Sequence, residues 1–280
     1  MISVLTLEGR EKIAKTFGQS SISYDQNARL QRYSGNVLCQ YLAQVGNRQS
    51  SQHNYMLDLG CGTGYFTQQL AKRALSGITA LDLSPEMLSF AKQRNYATEP
   101  DWICGDAHAL PLPGNSHDLI FSNLVLQWTK PLTLALKEAY RVLTPGGHMV
   151  FSTLIQGTLD ELKQAWATVD NDRHVIDYLT AAQVDCAWLQ AGFTQVFAHT
   201  ESVEFPYTDV NHLARELKHL GASLVSDKSQ KGLTGKDKWR RMVAAYPQPP
   251  ACNAGTNTHN SQIHATYQLY TVCLNKPPGD

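Results

Sequence analysis

The sequence predicts an α/β fold in which a doubly wound, mostly parallel sheet carries helices on both faces. Five short β-like runs alternate with helical patterns between residues 55 and 154. A glycine-rich loop at residues 58–64 follows the first of these runs. Acidic residues or an asparagine stand where three later runs end. Sheets of this kind bind ligands at the carboxyl ends of their strands, so we expect a site at that edge.

The predicted elements begin with an N-terminal helical segment at residues 8–46, with a break near residues 18–23. The sequence Pro145-Gly146-Gly147 predicts a helix stop and a turn before the fifth strand. The first five strands are predicted at residues 55–60, 78–83, 101–105, 118–123 and 148–154, and the helices between them at residues 65–75, 85–95 and 132–143.

The pattern changes after residue 155, where a helix at residues 180–191 precedes a strand at residues 194–205. A final strand is predicted at residues 263–275. The intervening segment is too long for a turn. It contains helical patterns at residues 210–224 and 236–246, followed by a polar loop at residues 247–261. We predict one structural domain, divided into an N-terminal helical cap at residues 1–48, a core at residues 49–206 and 263–280, and a lid at residues 207–262.

The composition excludes several classes of protein. The 280 residues include 24 Lys and Arg and 24 Asp and Glu, so the balance argues against a nucleic-acid partner. No apolar run approaches the ~20 residues of a membrane span, and Glu8 and Arg10 come too early for a signal peptide. The six cysteines contain no C-x-x-C pair. We therefore expect a cytoplasmic protein with free thiols, without a metal and without a membrane partner.

The glycine loop has the spacing G-x-G-x-G, and we expect its backbone N–H groups to face a ligand. A dinucleotide-binding fingerprint would need a third glycine where Tyr65 stands. Asp58, just before Gly60, would repel a pyrophosphate. It suits a positive group, such as the amino group of S-adenosylmethionine.

Three further residues extend this prediction along the sheet edge. Asp82, 22 residues after Gly60, can accept hydrogen bonds from both ribose hydroxyls. Its alternative role is a helix cap, which Ser84 and the following proline already supply. Asp106 can accept the adenine amino group, or it is a turn aspartate. Asn123 lies near the expected methyl group, or it is a turn asparagine.

Together these residues resemble the class I S-adenosylmethionine-dependent methyltransferases over residues 50–155. The resemblance implies a seven-stranded sheet with an antiparallel last strand, for which residues 263–275 are the candidate. For Cys61, a small residue in a tight turn is the preferred interpretation. The resemblance implies cofactor contacts at Asp58, Gly60, Cys61, Gly62, Gly64, Asp82, Leu83, Met87, Asp106 and Ala107, to which we add Asn123 and Tyr24.

The acceptor must be inferred from other residues. The fourth strand ends in Ser122-Asn123-Leu124-Val125, without the prolines and aromatic residue of base-amine methyltransferases, and no Pro-Cys pair is present for cytosine methylation. Several stretches resemble instead the malonyl-acyl-carrier-protein O-methyltransferases of biotin synthesis, and the similarity runs nearly end to end. These stretches are residues 17–25, 30–32, 123–128, 151–154 with Gly157, 161–162 with Trp166, 216–218, 221–222, 233–236 and 265–267.

That resemblance implies methylation of the free carboxylate of a malonyl thioester held by an acyl carrier protein. The methyl ester would prime a pimeloyl chain, and S-adenosylhomocysteine would be the second product. A carboxylate is ionised at neutral pH, so we expect no catalytic acid or base. Candidates that orient the substrate are Tyr24, Gln127, Trp128 and Thr153. Tyr24 could instead start a helix or touch the cofactor, Gln127 could lie on the surface, and Trp128 could belong to the core.

Two interpretations concern charged residues outside the sheet. Arg32 could pair with a ligand carboxylate or lie on a solvated helix face. Four basic residues of the predicted lid could dock an acidic carrier protein, or they form the solvated face of an amphipathic helix. These four are Lys236, Lys238, Arg240 and Arg241, with Lys228 and Lys231 nearby.

Two other functions remain open at this stage. One is methylation of another small acid or of a quinone precursor, because such enzymes share the core and differ in the lid. The other is a module that binds S-adenosylmethionine without catalysis.

Overall fold

Seven strands form one sheet in the computed structural model, which describes residues 7–46, 53–220, 235–248 and 262–278. The strands are β1 His53–Leu59, β2 Ala74–Asp82, β3 Asp101–Cys104, β4 His117–Asn123, β5 Leu143–Leu154, β6 Thr194–Tyr207 and β7 Ile263–Asn275. Their order is β3-β2-β1-β4-β5-β7-β6. The first five strands pair in parallel, and β7 runs antiparallel to β5 and β6. This topology confirms the predicted fold class and the antiparallel last strand.

Helices cover both faces of this sheet. They are α1 Leu7–Asn27, α2 Arg29–Gly46, α3 Tyr65–Leu70, α4 Pro85–Ala91, α5 Leu132–Val142, α6 Asp160–Ala167, α7 Ala181–Ala191, α8 Val210–His219 and α9 Lys236–Ala245. Successive strand residues point to opposite faces, so Ile120 packs toward α5 and α7 while Phe121 packs toward α2 and α3. Two apolar cores therefore hold the strand ends rigidly in place. No helix among the described residues is long and apolar enough to span a bilayer.

A third apolar cluster lies beyond the carboxyl edge of the central strands. Trp166 of α6, Leu213 of α8 and Met242 of α9 pack there against β6 and β7, and the last two are fully buried. This packing holds the described parts of the predicted lid beside the edge where a site is expected. The division into cap, core and lid stays a prediction.

Helix boundaries differ from the sequence prediction in three places. The first helix continues through residues 18–23, and the chain breaks instead at Ala28, between α1 and α2. Helix α3 ends at Leu70 because Ala74 already pairs with β1. Helix α4 ends at Ala91, and its start confirms Ser84 as the cap, since Ser84 Oγ accepts from the Met87 N–H at 3.3 Å.

The predicted end of the helix before Pro145 is confirmed, but the prediction of a turn at residues 145–147 was wrong. Strand β5 begins at Leu143, directly after α5, and includes these residues. His117 pairs with Leu143 and Leu119 with His148, so four residues of β5 lie opposite one residue of β4. Gly146 adopts a φ of 80°, which fits a bulge. Proline and glycine therefore mark an irregularity inside the strand.

Other parts of the prediction were incomplete. Helix α6 was not predicted, although its neighbourhood was quoted for family resemblance. Helix α8 ends at His219. Residues 221–224 of the predicted helix, residues 249–261 of the polar loop, Lys228 and Lys231 lie outside the described residues.

Candidate active site

The glycine loop links β1 to α3 at the carboxyl edge of the sheet. Gly60, Gly62 and Gly64 all have positive φ, between 54° and 77°. A Cβ on Gly60 would lie only 2.3 Å from Val125 Cγ2, so glycine is required there for close packing. The loop thus forms a backbone wall without side chains.

The N–H groups of this loop are used within the protein. Gly60 and Cys61 donate to the Leu81 carbonyl at 2.7 and 3.0 Å, and Gly64 donates to the Cys61 carbonyl at 2.9 Å. Gly62 donates to Asp82 Oδ2 at 2.8 Å. The expectation that the loop turns its N–H groups toward a ligand was therefore wrong for these four residues, which instead stabilise the loop and its junction with β2.

Asp82 lies at the end of β2 with its carboxylate held at both oxygens. Besides the bond from Gly62, Oδ1 accepts from the Ser84 N–H at 2.8 Å. Burial raises the pKa of this carboxyl, while the backbone N–H groups oppose the rise. Each carboxylate oxygen accepts more than one hydrogen bond, so Asp82 can still receive a pair of hydroxyls.

Asp58 is a buried carboxylate, only 2% exposed. Thr67 Oγ1 donates to its Oδ2 at 2.6 Å. Burial raises the pKa of Asp58 to about 7, and the charge of Asp82 adds to the rise. The groups that act on this pKa include no cation. An ionised carboxylate in this place is stabilised by a bound positive group, which is what the sequence predicted for it.

A cavity, here called the cofactor cavity, opens at the carboxyl edge of β1–β4 and under α1. A smaller chamber adjoins it on the side of Asp58. Of the predicted cofactor residues, those that line the cofactor cavity are Tyr24, Gly60, Gly62, Asp82, Leu83, Met87, Asp106, Ala107 and Asn123, whereas Asp58 and Cys61 line the chamber.

Gly64 lines neither space. A Cβ there would meet Tyr96 Oη at 2.4 Å, so this glycine serves the packing at the start of α3. The Cys61 thiol is buried, and burial raises its pKa well above the ordinary value. It remains a neutral thiol, which agrees with the interpretation of Cys61 as a small turn residue.

Helix α1 covers the cofactor cavity and is attached at its C-terminal end. Asp25 Oδ1 accepts from Thr63 Oγ1 at 2.7 Å, and its other oxygen pairs with Arg94. Arg94 Nε also donates to the Thr63 carbonyl at 2.7 Å. Near the middle of α1, a Cβ on Gly18 would lie 2.6 Å from Glu86 Oε2, so glycine permits the close approach of α1 to α4. Arg32 donates to the Asp25 carbonyl and therefore helps to hold this turn of chain.

A second and larger cavity, here called the acceptor cavity, lies between the sheet edge and helices α6, α8 and α9. It shares four lining residues with the cofactor cavity, namely Phe17, Tyr24, Leu124 and Trp128. These residues form a partition between the two spaces. The Phe17 and Trp128 rings meet edge to face, with centroids 5.4 Å apart.

The backbone of the partition is strained at Leu124. This residue has a φ of 55°, in the left-handed region that side chains with a Cβ rarely adopt. Its N–H donates to the Ser152 carbonyl and to Ser152 Oγ, both at 3.1 Å. Asn123 is held by the same serine, whose Oγ donates to Asn123 Oδ1 at 2.9 Å, and Asn123 Nδ2 donates to the Gln31 carbonyl. Asn123 thus ties α2 to the sheet edge.

Three of the four predicted substrate residues line the acceptor cavity, and the fourth does not. Tyr24, Gln127 and Trp128 line the acceptor cavity, whereas Thr153 lines neither cavity. Thr153 Oγ1 donates to Gln127 Oε1 at 3.3 Å, and Gln127 Nε2 donates to the Leu124 carbonyl at 2.7 Å. Thr153 can therefore act only through Gln127. Burial and nearby Asp82 raise the pKa of Tyr24, so its hydroxyl stays protonated and able to donate.

Other polar residues of the acceptor cavity were not predicted as site residues. Gln31 Oε1 is buried without a hydrogen-bond partner among the described residues. Glu216 is neutralised, because Arg29 Nη2 lies 2.9 Å from its Oε2 and Tyr207 Oη donates to its Oε1 at 2.8 Å. The described lining of this cavity contains no Lys or Arg. A substrate carboxylate there would meet neutral donors. Only the three-dimensional arrangement of α2, α8 and β7 brings these residues together.

The four predicted docking residues lie on α9, and two of them pair with carboxylates. Lys238 Nζ binds Asp170 Oδ2 at 2.8 Å and is the main cause that lowers the pKa of Asp170 to about 2. Arg240 makes an exposed pair with Asp237 at 3.3 Å. Lys236 and Arg241 are exposed. The surface available to a partner is therefore formed by Lys236, Arg240 and Arg241.

One group of described residues has the composition of a metal site. Asp170, Asp172 and His174 bring ligand atoms within 4.8 Å of one another. Lys238 already neutralises Asp170, and His174 Nε2 lies 2.8 Å from the same carboxylate. We therefore interpret these three residues as part of an ion-pair network with Lys238.

Comparison with known proteins places this arrangement in a family. A profile described as a methyltransferase domain matches residues 57–151. The malonyl-[acyl-carrier protein] O-methyltransferase of Serratia marcescens is 38% identical over 247 residues, covering 88% of this chain and 92% of the relative. That of Yersinia pestis is 39% identical over 245 residues, with 85% and 84% covered. The chain belongs to the malonyl-[acyl-carrier protein] O-methyltransferase family.

Some of the relatives are longer proteins. The biotin biosynthesis bifunctional protein BioHC of Cellvibrio japonicus is 37% identical over 276 residues, which cover 98% of this chain and 52% of the relative. The chain thus spans about half the length of that bifunctional relative.

Solved structures share the fold at low sequence identity. A protein of Bacillus halodurans C-125 described as a methyltransferase superposes with a TM-score of 0.60 at 14% identity, covering 86% of this chain and 98% of that one. The [4+2]-cyclase SpnF superposes with a TM-score of 0.52 at 21% identity, covering 86% and 82%. The cyclase shows that this fold does not by itself specify methyl transfer.

Proposed function

We propose that this protein transfers a methyl group from S-adenosylmethionine to the free carboxylate of a malonyl thioester carried by an acyl carrier protein. The observation that carries the proposal is the pair of adjoining cavities, which are separated only by the partition of Phe17, Tyr24, Leu124 and Trp128. On one side lies a buried carboxylate suited to a cation, and on the other lies a space with neutral donors. The names of the Serratia and Yersinia relatives support the choice of acceptor.

The cofactor side fits S-adenosylmethionine in its charge pattern. Asp58 would bind the ammonium group, because no cation of the described residues forms an ion pair with its buried carboxylate. Asp82 would accept the ribose hydroxyls from a carboxylate already oriented by two backbone N–H groups. When bound, S-adenosylmethionine supplies a methyl group on a sulfonium, and S-adenosylhomocysteine remains after the methyl has passed to a carboxylate oxygen.

On the acceptor side, the protein orients an acceptor that is already nucleophilic. An ionised carboxylate forms the new C–O bond without losing a proton, so no general base is required. The Tyr24 hydroxyl and the Gln127 amide are placed to donate to it, and Thr153 fixes the orientation of that amide. Positioning of two reactants in line can contribute about 7–11 kcal/mol, while the aromatic partition excludes water.

Helix α9 is the proposed docking surface for the carrier protein. Lys236, Arg240 and Arg241 are exposed on a helix that also packs against the acceptor cavity through Trp239. An acidic carrier bound there would have its thioester arm close to that cavity. Long-range attraction between opposite charges would speed the encounter.

The decisive experiment uses methyl-labelled S-adenosylmethionine with malonyl-acyl carrier protein, malonyl coenzyme A, other dicarboxylates and quinone precursors. We expect label on the malonyl thioester. Malonyl-acyl carrier protein whose carboxylate is already a methyl ester is the matched control and should accept no label. Transfer to another acid or to a quinone precursor would contradict the proposed acceptor, and cofactor binding without any transfer would contradict catalysis.

A further inference from the structure

Tyr178 is a tyrosine of the acceptor cavity to which the proposed mechanism assigns no role. It lies between α6 and α7, lines that cavity and packs against the apolar cluster beside the sheet edge. Backbone contacts fix its position on both sides. Lys130 Nζ donates to the Asp177 carbonyl at 3.4 Å, and the Gln156 N–H donates to the Leu179 carbonyl at 2.9 Å.

The Tyr178 hydroxyl has no hydrogen-bond partner among the described residues. It is also not one of the unpaired polar atoms that are sealed off from free space. The hydroxyl therefore borders such a space, and the space that this side chain lines is the acceptor cavity. Burial raises the pKa of Tyr178, so the hydroxyl keeps its proton and can donate it in a hydrogen bond.

A second tyrosine that lines this cavity, Tyr267, already uses its proton. Tyr207 Oη donates to Glu216 Oε1 at 2.8 Å and lies 3.1 Å from Tyr267 Oη. Since a hydroxyl carries one proton, Tyr267 must be the donor to Tyr207. Tyr178 differs from Tyr267 because its proton is still available to a ligand.

The contacts of Tyr178 place it near the residues proposed to orient the acceptor carboxylate. Lys130 stands three residues after Gln127. Gln156 stands three residues after Thr153, which donates to Gln127. In a malonyl thioester, one CH2 separates the carboxylate from the thioester carbonyl. A hydroxyl donor close to the carboxylate position is therefore suited to that carbonyl oxygen.

We propose that the Tyr178 hydroxyl donates a hydrogen bond to the carbonyl oxygen of the acceptor thioester, and so makes the cavity selective for acids that carry a carbonyl at that position. This inference rests on the proposed function and extends it from the carboxylate to the group next to it. An acceptor without the carbonyl would leave a buried hydroxyl unpaired, which weakens its use as a substrate.

The test compares two acceptors in two proteins by initial rates of methyl transfer at saturating S-adenosylmethionine. The acceptors are malonyl coenzyme A and S-(2-carboxyethyl) coenzyme A, in which two hydrogens replace the carbonyl oxygen. We expect the wild-type kcat/KM to be at least tenfold higher for malonyl coenzyme A. In Tyr178→Phe this ratio should fall to about a third or less, because only the malonyl acceptor loses a hydrogen bond.

The matched control is Tyr55→Phe, which changes an exposed tyrosine of β1 and should keep the wild-type ratio. An unchanged ratio in Tyr178→Phe, with malonyl coenzyme A still methylated by the wild type, would overturn the role of Tyr178 alone. A wild type that methylated no malonyl thioester would overturn the proposed function together with this inference.

A third acceptor separates the thioester carbonyl from the rest of the arm. Malonyl-N-acetylcysteamine keeps this carbonyl but lacks the arm beyond its first amide, so Tyr178→Phe should lower its kcat/KM as much as that of malonyl coenzyme A. A loss with malonyl coenzyme A that is absent with the shorter acceptor would assign the hydroxyl to the distal arm and overturn the proposal.

Discussion

At the scale of single residues, buried carboxylates determine what the cofactor cavity can bind. Asp58 and Asp82 both have raised pKa values because both are removed from water, and the charge of Asp82 raises the pKa of Asp58 further. A bound ligand of opposite charge can offset the energetic cost of keeping these carboxylates ionised. A cation beside Asp58 would restore its ordinary ionisation and bind tightly for the same reason.

Binding of S-adenosylhomocysteine should therefore depend on pH through Asp58. With a pKa of about 7, Asp58 is protonated at pH 6 and must lose its proton to bind the ammonium group. We expect affinity to be about tenfold lower at pH 6 than at pH 8, as measured by calorimetry. In Asp58→Asn the affinity at pH 8 should fall tenfold or more, and its dependence on pH should be flatter. A pH dependence equal to that of the wild type would contradict the assignment.

The same pKa predicts the pH dependence of the unliganded protein's stability. The folded state holds a proton on Asp58 up to about pH 7, whereas the unfolded chain releases it near the ordinary value of 3.8. The folded state thus binds more protons between these values, and this contribution to the free energy of unfolding decreases as pH rises through that range. Urea unfolding at pH 5 and pH 8 should show that the decrease is smaller in Asp58→Asn.

Site residues could be predicted where sequence position and chemistry agree. Asp58, Asp82 and Asp106 follow strands, and the carboxyl ends of parallel strands meet at one edge. The orientation of backbone N–H groups in the glycine loop could not be predicted, because it depends on the pairing of Gly60 and Cys61 with β2. The same is true of Gln31, since the sequence does not reveal that its Oε1 is buried without a partner among the described residues.

At the scale of elements, helix α1 covers the cofactor cavity and is held by few polar contacts at its C-terminal end. Asp25 there joins Thr63 of the glycine loop and Arg94. The chain breaks at Ala28, and α2 is bound separately to the sheet through Asn123. These contacts would slow the exchange of cofactor and product.

Loss of the Asp25 contacts should speed ligand release. In Asp25→Asn we expect the dissociation rate of S-adenosylhomocysteine, measured by stopped-flow fluorescence, to rise about five- to tenfold, in line with the ~1–1.5 kcal/mol net contribution of a hydrogen bond at a part-exposed site. The neighbouring exposed Gln26→Asn variant is the control and should keep the wild-type rate. An unchanged rate in Asp25→Asn would show that α1 is held by its other contacts.

Charge reversal on α9 should weaken the use of carrier-bound substrate. We expect Arg240→Glu with Arg241→Glu to lower kcat/KM for malonyl-acyl carrier protein about tenfold at low salt, and less at high salt. The rate with malonyl coenzyme A should change less than about twofold. Lys238 is left unchanged because its pair with Asp170 stabilises the fold.

The matched control reverses two exposed lysines elsewhere on the surface, Lys92→Glu just after α4 with Lys137→Glu on α5. It changes net charge equally and should leave both substrates unaffected. Equal losses on carrier-bound and coenzyme A-bound malonate in the α9 variant would contradict docking.

The order of the helices and strands could be predicted from alternating sequence patterns, but the residues at which they begin and end could not. Pro145, Gly146 and Gly147 are typical of a turn, but pairing of β5 with β4 and β7 accommodates them as a bulge. Helix α6 is only eight residues long and begins after Leu159, a residue with positive φ. Its stability comes from packing against α9 and β7, which a local pattern does not contain.

At the scale of the whole molecule, the cofactor cavity joins parts of the chain that are far apart in sequence. Residues of α1, the glycine loop, β2, the loop after β3, and β4 all line it. A ligand that contacts all of them stabilises the folded state by an amount that grows with the logarithm of its concentration relative to Kd. Ligand binding should therefore be visible in global unfolding.

Thermal unfolding should show this coupling. At about 100 times Kd, S-adenosylhomocysteine should add ~2.7 kcal/mol to the free energy of unfolding and raise Tm by roughly 5 °C. Asp58→Asn at the same ligand concentration should shift less, because its Kd is higher. A shift equal to that of the wild type would contradict the role of Asp58.

The partition has a consequence for the order of events in turnover. Phe17 and Tyr24 belong to α1, so one helix closes both cavities, and an occupied acceptor cavity would keep α1 in place. Substrates should then enter in a compulsory sequence, with S-adenosylmethionine first and the malonyl thioester second. The methyl ester should leave before S-adenosylhomocysteine. Product inhibition by S-adenosylhomocysteine should accordingly be competitive against S-adenosylmethionine, and inhibition by the ester should be noncompetitive against both substrates.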